Sequence, residues 1–194
     1  LSSELDDYTA ILTELAQTLD LANGSSGSLE SALQRASNRL VTFDGGVFVL
    51  DWQGTMIAAE PRRPDLAGQD WSDRAFFRDA LYTRRPIVSG VLQAEPARVY
   101  ASGSLLESSP IVVVAVPILG GRSERQGVVA GGFRLGAKAL SSFYGSIIKL
   151  HMDANESAYL VDGDGLVIYH ADPTQIGRDL RAQAAVREVL AGNS

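Results

Sequence analysis

The sequence has no cysteine and only two histidines among its 194 residues. The lack of cysteine excludes disulfides, thiolate zinc sites and cysteine nucleophiles. Neither His151 nor His170 has a second metal ligand at a suitable spacing, no G-x-S-x-G nucleophile elbow occurs, and no catalytic triad can be assembled. We therefore expect a chain that is not an enzyme and that binds no metal and no cofactor.

Long apolar runs and an excess of positive charge are also missing. The longest apolar run, Ile111–Leu119, contains Pro117 and has the length of a strand, whereas a membrane-spanning helix needs about 20 apolar residues. The net charge of −6 argues against nucleic acid as a partner. Because the first residue is Leu rather than Met, we expect a piece of a longer protein whose membrane anchors lie outside this chain.

The most informative feature that is present is an internal repeat, which relates Val49–Leu81 to Leu160–Leu190. At an offset of 111 residues, three positions are identical: Asp51, Gly54 and Ile57 match Asp162, Gly165 and Ile168. After a slip of two residues, five more are identical at an offset of 109: Gly68, Asp70, Ala75, Arg78 and Leu81 match Gly177, Asp179, Ala184, Arg187 and Leu190. Solenoid repeats have periods of about 20–50 residues. The repeat therefore predicts a tandem of two related α/β modules.

The amino-terminal segment has the apolar spacing of two helices. The first has a narrow seam of the coiled-coil kind, formed by Leu1, Leu5, Tyr8, Leu12, Leu15, Leu19 and Ala22. Asn23–Gly27 interrupts it, and Ser28 is a suitable N-cap for a second helix. Two interpretations of the seam stay open: it packs on its own domain, or it also meets a second subunit in a homodimer.

From Gly46 the pattern becomes that of a sheet with one inserted helix. A hairpin of Val47–Leu50 and Met56–Ala59 precedes a helix over Ser72–Arg84, with Ser72 as its N-cap. The strands predicted after this helix are Ile87–Leu92, Ile111–Leu119 and Val128–Leu135, with a weaker one around Val99–Leu105. This order is typical of a PAS-like module, whose antiparallel sheet keeps one face for the core and one for helices or a ligand.

The second module repeats only the beginning of this order. Ala137–Leu150 has helical spacing and leads to a hairpin of Tyr159–Val161 and Leu166–Tyr169, followed by a helix over Arg181–Leu190. The closing strands are not in the chain, so we expect an incomplete module. The predicted fold class is α+β, divided into an N-terminal helical segment (1–45), a first PAS-like module (46–136), a connecting helix (137–156) and a partial second module (157–194).

Three motifs carry a resemblance to a known family. Asp73–Leu81 reads DRAFFRDAL and is similar to the signature DR-x-[YFW]-[FY]-x-x-A, Gly127–Gly131 (GVVAG) stands in a late strand, and Ala158–Leu180 resembles the start of a membrane-proximal module. In order and motifs the chain resembles the double Cache (dCache) sensor domain of bacterial chemoreceptors, sensor histidine kinases and diguanylate cyclases. The resemblance implies a periplasmic or extracellular domain of an inner-membrane receptor. A small molecule captured by the distal module shifts helices, and transmembrane helices outside this chain relay the shift to a cytoplasmic output domain.

Comparison of the two copies indicates where such a ligand binds. Only the first copy has Trp71, Arg74, Phe76 and Phe77, where the second has Leu180, Gln183, Ala185 and Val186. An arginine among aromatic rings suits a carboxylate, although aromatic faces also hold cations. The resemblance implies that Arg74 clamps a ligand carboxylate, with Phe76 and Phe77 in the places of the family's aromatic pair. We expect Tyr100 and Ser102 to supply hydroxyl contacts from the opposite wall.

Other interpretations of these residues stay open. Phe76 or Phe77 could be core residues of an amphipathic helix, and Arg74 could form a surface ion pair with Asp70 or Asp73. Family members that bind amino acids place an Asp late in the strand equivalent to Val128–Leu135, which here reads VVAGGFRL. We therefore favour an organic acid over an amino acid or an amine. The alternative function is a ligand-free PAS-like dimerisation module.

Overall fold

A computed structural model of the chain describes residues 2–21, 26–92, 110–120, 125–135, 159–170 and 172–192. They fall into two compact units. The first consists of Leu1–Ser89 and Val113–Phe133, and the second of Gly90–Val112 and Arg134–Ser194. The strand predicted around Val99–Leu105 and the connecting helix predicted over 137–156 lie outside the described residues.

Two helices open the first unit: α1 (Ser2–Thr18) and α2 (Ser26–Leu40). The second half of the seam predicted for α1 is buried within the chain, since Leu12 is 0% and Leu15 is 6% exposed, whereas Leu5 and Tyr8 are half-buried. Helix α2 begins at Ser26, two residues before Ser28. Near its start, the Ser31 hydroxyl donates to the Gly27 carbonyl at 2.8 Å. Ser28 is therefore inside the helix and is not its N-cap. No helix in the described ranges is both long and apolar enough to cross a membrane.

The five strands of the first sheet follow the order β2-β1-β5-β4-β3. Their bounds are β1 (Gly46–Asp51), β2 (Met56–Glu60), β3 (Ile87–Val88), β4 (Ile111–Leu119) and β5 (Arg125–Arg134). Strand β1 lies between β2 and β5 and is antiparallel to both. The predicted α+β class with an antiparallel sheet is confirmed. Strand β3 is shorter than predicted, although Leu92 and Ile111 exchange a further pair of backbone hydrogen bonds at 2.8 and 3.0 Å.

The two faces of this sheet have different partners. Because side chains alternate along a strand, Val47 and Phe48 of β1 point to opposite faces. Gly131, paired with Val47, marks the face that packs on Phe43, where a Cβ at position 131 would lie 2.3 Å from the Phe43 ring. On the other face, the Phe48 ring lies 5.5 Å from that of Trp71. The second face of the sheet is therefore the one next to the predicted ligand-binding motif.

Helix α3 (Ala75–Thr83) carries that motif, and its buried residues are Phe76, Phe77 and Ala80. It begins three residues later than predicted. Ser72 is not its N-cap, because the Ser72 N–H donates to the Asp70 carboxylate at 2.8 Å and holds residues 70–72 in a turn. The N-cap is Arg74, whose backbone is extended (φ −75°, ψ 129°) and whose side chain makes no capping hydrogen bond.

The described part of the second unit is built around a short hairpin. Strands β6 (Tyr159–Val161) and β7 (Val167–His170) are antiparallel and are followed by a 3-10 helix (Pro173–Gln175) and by α4 (Ala184–Leu190). Val167, Leu180 and Val186 form its core. Within this unit, the Asp162 carboxylate accepts a hydrogen bond from the Val91 N–H at 2.8 Å. The helix predicted from Arg181 begins at Ala184, for the same reason as in α3: the Arg181 N–H donates to Asp179 at 2.9 Å.

Candidate ligand-binding site

The two copies of the repeat have the same turn at the end of their first strand. In each, the aspartate accepts hydrogen bonds at 2.9 to 3.0 Å from the backbone N–H groups two and four residues later: Asp51 from Gln53 and Thr55, Asp162 from Asp164 and Leu166. The glycine that follows has a positive φ in both copies, 90° at Gly54 and 77° at Gly165. The sequence identities in this segment therefore belong to the scaffold.

The corner before the helix is also the same in both copies. The Gly54 carbonyl accepts the Trp71 N–H at 2.8 Å, and the Gly165 carbonyl accepts the Leu180 N–H at 2.9 Å. The N-cap residues Arg74 and Gln183 have nearly equal backbone angles, with φ −75° and −73° and ψ 129° and 135°. Both copies have the same backbone conformation here, so that conformation does not require the side chains in which they differ.

Arg74 is the charged side chain among these differences. Its side chain is 22% exposed, and its Nε lies 3.8 Å from a carboxylate oxygen of Asp73, whose side chain is 60% exposed. A contact this long to an exposed partner contributes little to stability. The ion pair with Asp73 foreseen as an alternative includes this long contact.

Gln183 is the equivalent of Arg74 in the second copy, and its hydrogen bond shows which way its side chain points from the N-cap. The Gln183 amide oxygen accepts a hydrogen bond from the Tyr159 hydroxyl at 3.1 Å. Tyr159 stands on β6 at the repeat position of Phe48 on β1. In the second copy, the N-cap side chain therefore reaches across to the first strand of its own hairpin.

An aromatic cluster consists of Phe48, Trp71 and Phe76, and the Trp71 carbonyl accepts the backbone N–H of Arg74 at 3.1 Å. The Trp71 ring is tilted by 38° against Phe48 at 5.5 Å and stands edge-on to Phe76 at 6.3 Å. Phe76 is 1% exposed. The Trp71 Nε1 atom is buried, and no residue in the described ranges accepts its hydrogen bond. Phe48 was missed by sequence reasoning, although its equivalence to Tyr159 within the repeat was a usable signal.

The residues that replace Phe77 and Phe76 in the second copy differ in burial. Phe77 is 4% exposed, and its equivalent, Val186, is a core residue that is 3% exposed. The equivalent of Phe76 is Ala185, which is exposed. The burial of Phe77 fits the core alternative, because the same position is filled by an apolar side chain in both copies. The predicted contacts of Tyr100 and Ser102 lie outside the described residues and stay predictions.

The described ranges contain no group of three or more histidine, aspartate or glutamate side chains that could hold a metal ion. The polar groups that distinguish the first copy from the second at this corner are instead the Arg74 guanidinium and the Trp71 indole N–H. Both are hydrogen-bond donors without acceptor capacity. Such donors are suited to an anionic or oxygen-rich small molecule.

Comparison with known proteins agrees with this architecture. The family model for the Cache domain, dCache_1, matches residues 1–193. No curated protein matches the sequence significantly.

Solved structures with similar folds include two ligand-binding domains from Pseudomonas aeruginosa PAO1. The amino acid chemoreceptor PctC, in complex with GABA, is 21% identical with a TM-score of 0.65, over 93% of this chain and 73% of its own. PctB, in complex with L-Arg, is 21% identical with a TM-score of 0.67, over 93% and 63%. An extracellular ligand-binding receptor from Desulfohalobium retbaense is 20% identical with a TM-score of 0.66, over 97% and 31%. The chain thus spans less than two thirds of the last two, and at these identities the likeness shows the fold.

Proposed function

The chain belongs to the Cache domain family, and on that premise we propose that it is the extracytoplasmic sensor domain of a bacterial membrane receptor that binds a small organic acid at Arg74. The observation that carries this proposal is the divergence of the two copies on one backbone. Where the second copy has Leu180 and Gln183, the first has Trp71 and Arg74. Selection for a ligand in one copy accounts for this difference.

Arg74 is the residue that supports a carboxylate ligand. A guanidinium donates two parallel hydrogen bonds to a carboxylate, and the side chain of Arg74 is not used as a helix cap. The direction taken by Gln183 in the second copy places an N-cap side chain towards the first strand. By the same relation, we expect the Arg74 side chain to extend towards Phe48 on the first strand of its own hairpin. The rings exclude water, so a charge-assisted hydrogen bond there is stronger than at an exposed position.

We favour an acid over an amino acid because β5 has no acidic side chain over Val128–Arg134. An α-amino acid needs an anion to receive its ammonium group, and the β5 sequence from Val128 to Arg134 contains no Asp or Glu. GABA and L-arginine, bound by the similar structures PctC and PctB, each carry a carboxylate and a cationic group. The carboxylate is the part of such ligands that Arg74 suits.

Several wider features belong to the same proposal. The first PAS-like module (46–136) is the ligand-binding one, and the segment 157–194 begins the membrane-proximal module. Ligand capture shifts helices, and transmembrane helices flanking this chain in an inner-membrane receptor relay the shift. A homodimer through α1 stays a proposal that must use the face of the helix away from Leu12 and Leu15, because these residues are buried in their own unit.

The test is a binding screen by thermal shift and calorimetry with acetate, propionate, succinate, 4-aminobutanoate and L-serine. The key variant is Arg74→Gln, which installs the residue of the second copy at the same N-cap. We expect an acid that binds the wild type to lose about 1.5–3 kcal/mol of binding free energy in the variant, the range for a hydrogen bond to a charged group.

Arg78→Gln is the matched control, because Arg78 is an exposed cation on the same helix and has a counterpart, Arg187, in the second copy. It should bind the same acid as tightly as the wild type does. A probe that stabilises the wild type and Arg74→Gln equally would remove Arg74 from the site. If no probe binds and the chain instead associates in solution, the ligand-free dimerisation module is the better description.

A further inference from the structure

Two polar side-chain atoms of this region are buried without a hydrogen-bond partner in the described residues: the Gln69 Oε1, which is an acceptor, and the Trp71 Nε1, which is a donor. The donor belongs to the Trp71 indole. Its Nε1 atom is buried and has no acceptor among the described residues. The indole N–H can only donate, and buried donors in folded proteins are nearly always hydrogen-bonded. A donor in this state is therefore expected to have an acceptor that lies beyond the described residues, and a bound ligand is one such acceptor.

The second copy shows that the scaffold itself does not need this donor. Leu180 occupies the equivalent corner, makes the equivalent backbone hydrogen bond at 2.9 Å and is 7% exposed. A purely apolar side chain therefore suffices to fill the corner and to hold the turn. Tryptophan at position 71 adds an N–H group that has no structural counterpart in the repeat.

The position of the indole connects it with the proposed site. The Trp71 carbonyl accepts the Arg74 N–H at 3.1 Å, so both residues belong to one turn of backbone. The indole ring lies between Phe48 and Phe76. A hydrogen bond formed among these rings is little weakened by competition from water.

We propose that the Trp71 Nε1–H donates a hydrogen bond to an oxygen atom of the ligand whose carboxylate binds Arg74. This inference rests on the proposed function and assigns an acceptor to the indole. The acid must present an oxygen acceptor to the indole, either the second oxygen of the same carboxylate or a further carboxylate, hydroxyl or carbonyl oxygen. A site with a buried donor discriminates against ligands that leave the donor unpaired.

Nuclear magnetic resonance can observe this N–H directly, because the chain has only two tryptophans. Trp52 is 63% exposed, so Trp52→Phe leaves a folded protein with one indole N–H signal, that of Trp71. This ¹⁵N-labelled protein is titrated with succinate and with propionate. We expect the Trp71 indole proton to move downfield and to exchange more slowly with solvent as the hydrogen bond forms.

Two variants then test the effect on affinity. Trp71→Phe keeps an aromatic ring without the N–H, and Trp71→Leu installs the residue of the second copy. Each should bind the acid about ten- to a hundredfold more weakly, the factor for a lost hydrogen bond to a charged group. Without ligand, the melting temperature of Trp71→Phe should fall by less than the loss of affinity would suggest. The removed donor has no partner among the described residues, so its removal breaks no hydrogen bond there. If Trp71→Phe does not fold, the titration of the Trp52→Phe protein decides alone.

The outcomes separate this inference from the proposed function. If an acid binds with dependence on Arg74 while the Trp71 indole signal stays unmoved or Trp71→Phe binds with unchanged affinity, the indole contact is wrong and the function stands. A Trp71 indole proton that already has the downfield shift of a hydrogen-bonded N–H in the protein without ligand, and that does not move on titration, would mean that another acceptor holds the bond, and this too overturns the contact. If none of the acids binds the wild type, both proposals fail together.

Discussion

At the scale of the single residue, Gly54 controls where Trp71 lies. Its carbonyl accepts the Trp71 N–H at 2.8 Å. Its φ of 90° is rarely adopted by residues with a side chain, and a Cβ would lie 2.7 Å from backbone atoms of Ser72. Gly68, by contrast, has a φ of 80° but nothing within 4 Å of the Cβ position. An alanine at Gly68 would therefore have backbone strain only, whereas an alanine at Gly54 would have the strain and a steric clash.

We expect Gly68→Ala to lower the free energy of unfolding by about 1–2 kcal/mol, the cost of the left-handed conformation for a residue with a side chain. Gly54→Ala should lower it by more, because the backbone of Ser72 must shift as well. Gly54→Ala should also weaken acid binding, since the shift displaces Trp71. Urea denaturation measures the first two effects and calorimetry the third. Equal losses of stability in the two variants would contradict the steric argument.

The sequence repeat made Arg74 and Trp71 candidate ligand-binding residues, because it supplied an internal comparison for each position, and their role stays a prediction. It did not separate Phe76 from Phe77, since both are aromatic and adjacent on one helix. Both are buried in the folded chain, and what separates them is that the counterpart of Phe77, Val186, is a core residue, whereas the counterpart of Phe76, Ala185, is exposed. The Phe76 ring lies 6.3 Å from that of Trp71.

At the scale of the element, α1 is held by its buried seam rather than by its surface charges. Leu12 is 0% exposed, whereas the ion pair of Glu14 with Arg39 on α2 joins side chains that are 62% and 52% exposed. Burial of an apolar side chain contributes far more than an exposed ion pair. The attachment of α1 to its own unit therefore depends on the leucines.

Leu12→Ala should accordingly lower the free energy of unfolding by about 2–5 kcal/mol, the usual range for a truncated buried leucine. Glu14→Ala should leave it nearly unchanged and serves as the control on the same helix. Denaturation with urea gives both values, and analytical ultracentrifugation of the folded variants checks association. If Leu12→Ala dissociated a dimer without any loss of stability, the seam would be an intersubunit contact.

The starts of α3 and α4 show where sequence patterns lose accuracy. Apolar spacing predicted both helices, but both begin three residues late. In each case an aspartate, Asp70 or Asp179, accepts the N–H two residues later and holds the chain in a turn. The hydrophobic period does not detect this competition, because the turn is stabilised by a polar side chain.

At the scale of the whole molecule, acidic side chains set the response to pH. Hydrogen bonds from Arg181 lower the pKa of Asp179 to about 2. The pKa values of Glu14 and Asp65 are also lowered, by hydrogen bonds from Arg39 and Arg63. A carboxyl with a lower pKa in the folded state stabilises the fold above its unfolded pKa, and this stabilisation is lost as the pH falls.

We therefore expect the free energy of unfolding to decline from about pH 4, near the pKa of unfolded carboxyls, towards pH 2, where Asp179 is protonated in the folded state. These pairs are exposed, so each contributes little and the decline is gradual. Urea denaturation at a series of pH values measures it. Asp179→Asn should have a shallower decline, and stability that rises on acidification would contradict the assignment.

The sequence by itself determined the repeat, the α+β class and the candidate Arg74, because turn chemistry and hydrophobic period act over a few neighbouring residues. Only the tertiary structure decided that Phe48 completes the aromatic cluster, that the α1 seam is buried in its own unit, and that the Trp71 N–H is buried without an acceptor in the described chain. These facts depend on which strand residues face which helix. Strand pairing brings together side chains far apart in the chain, and no local pattern records that register.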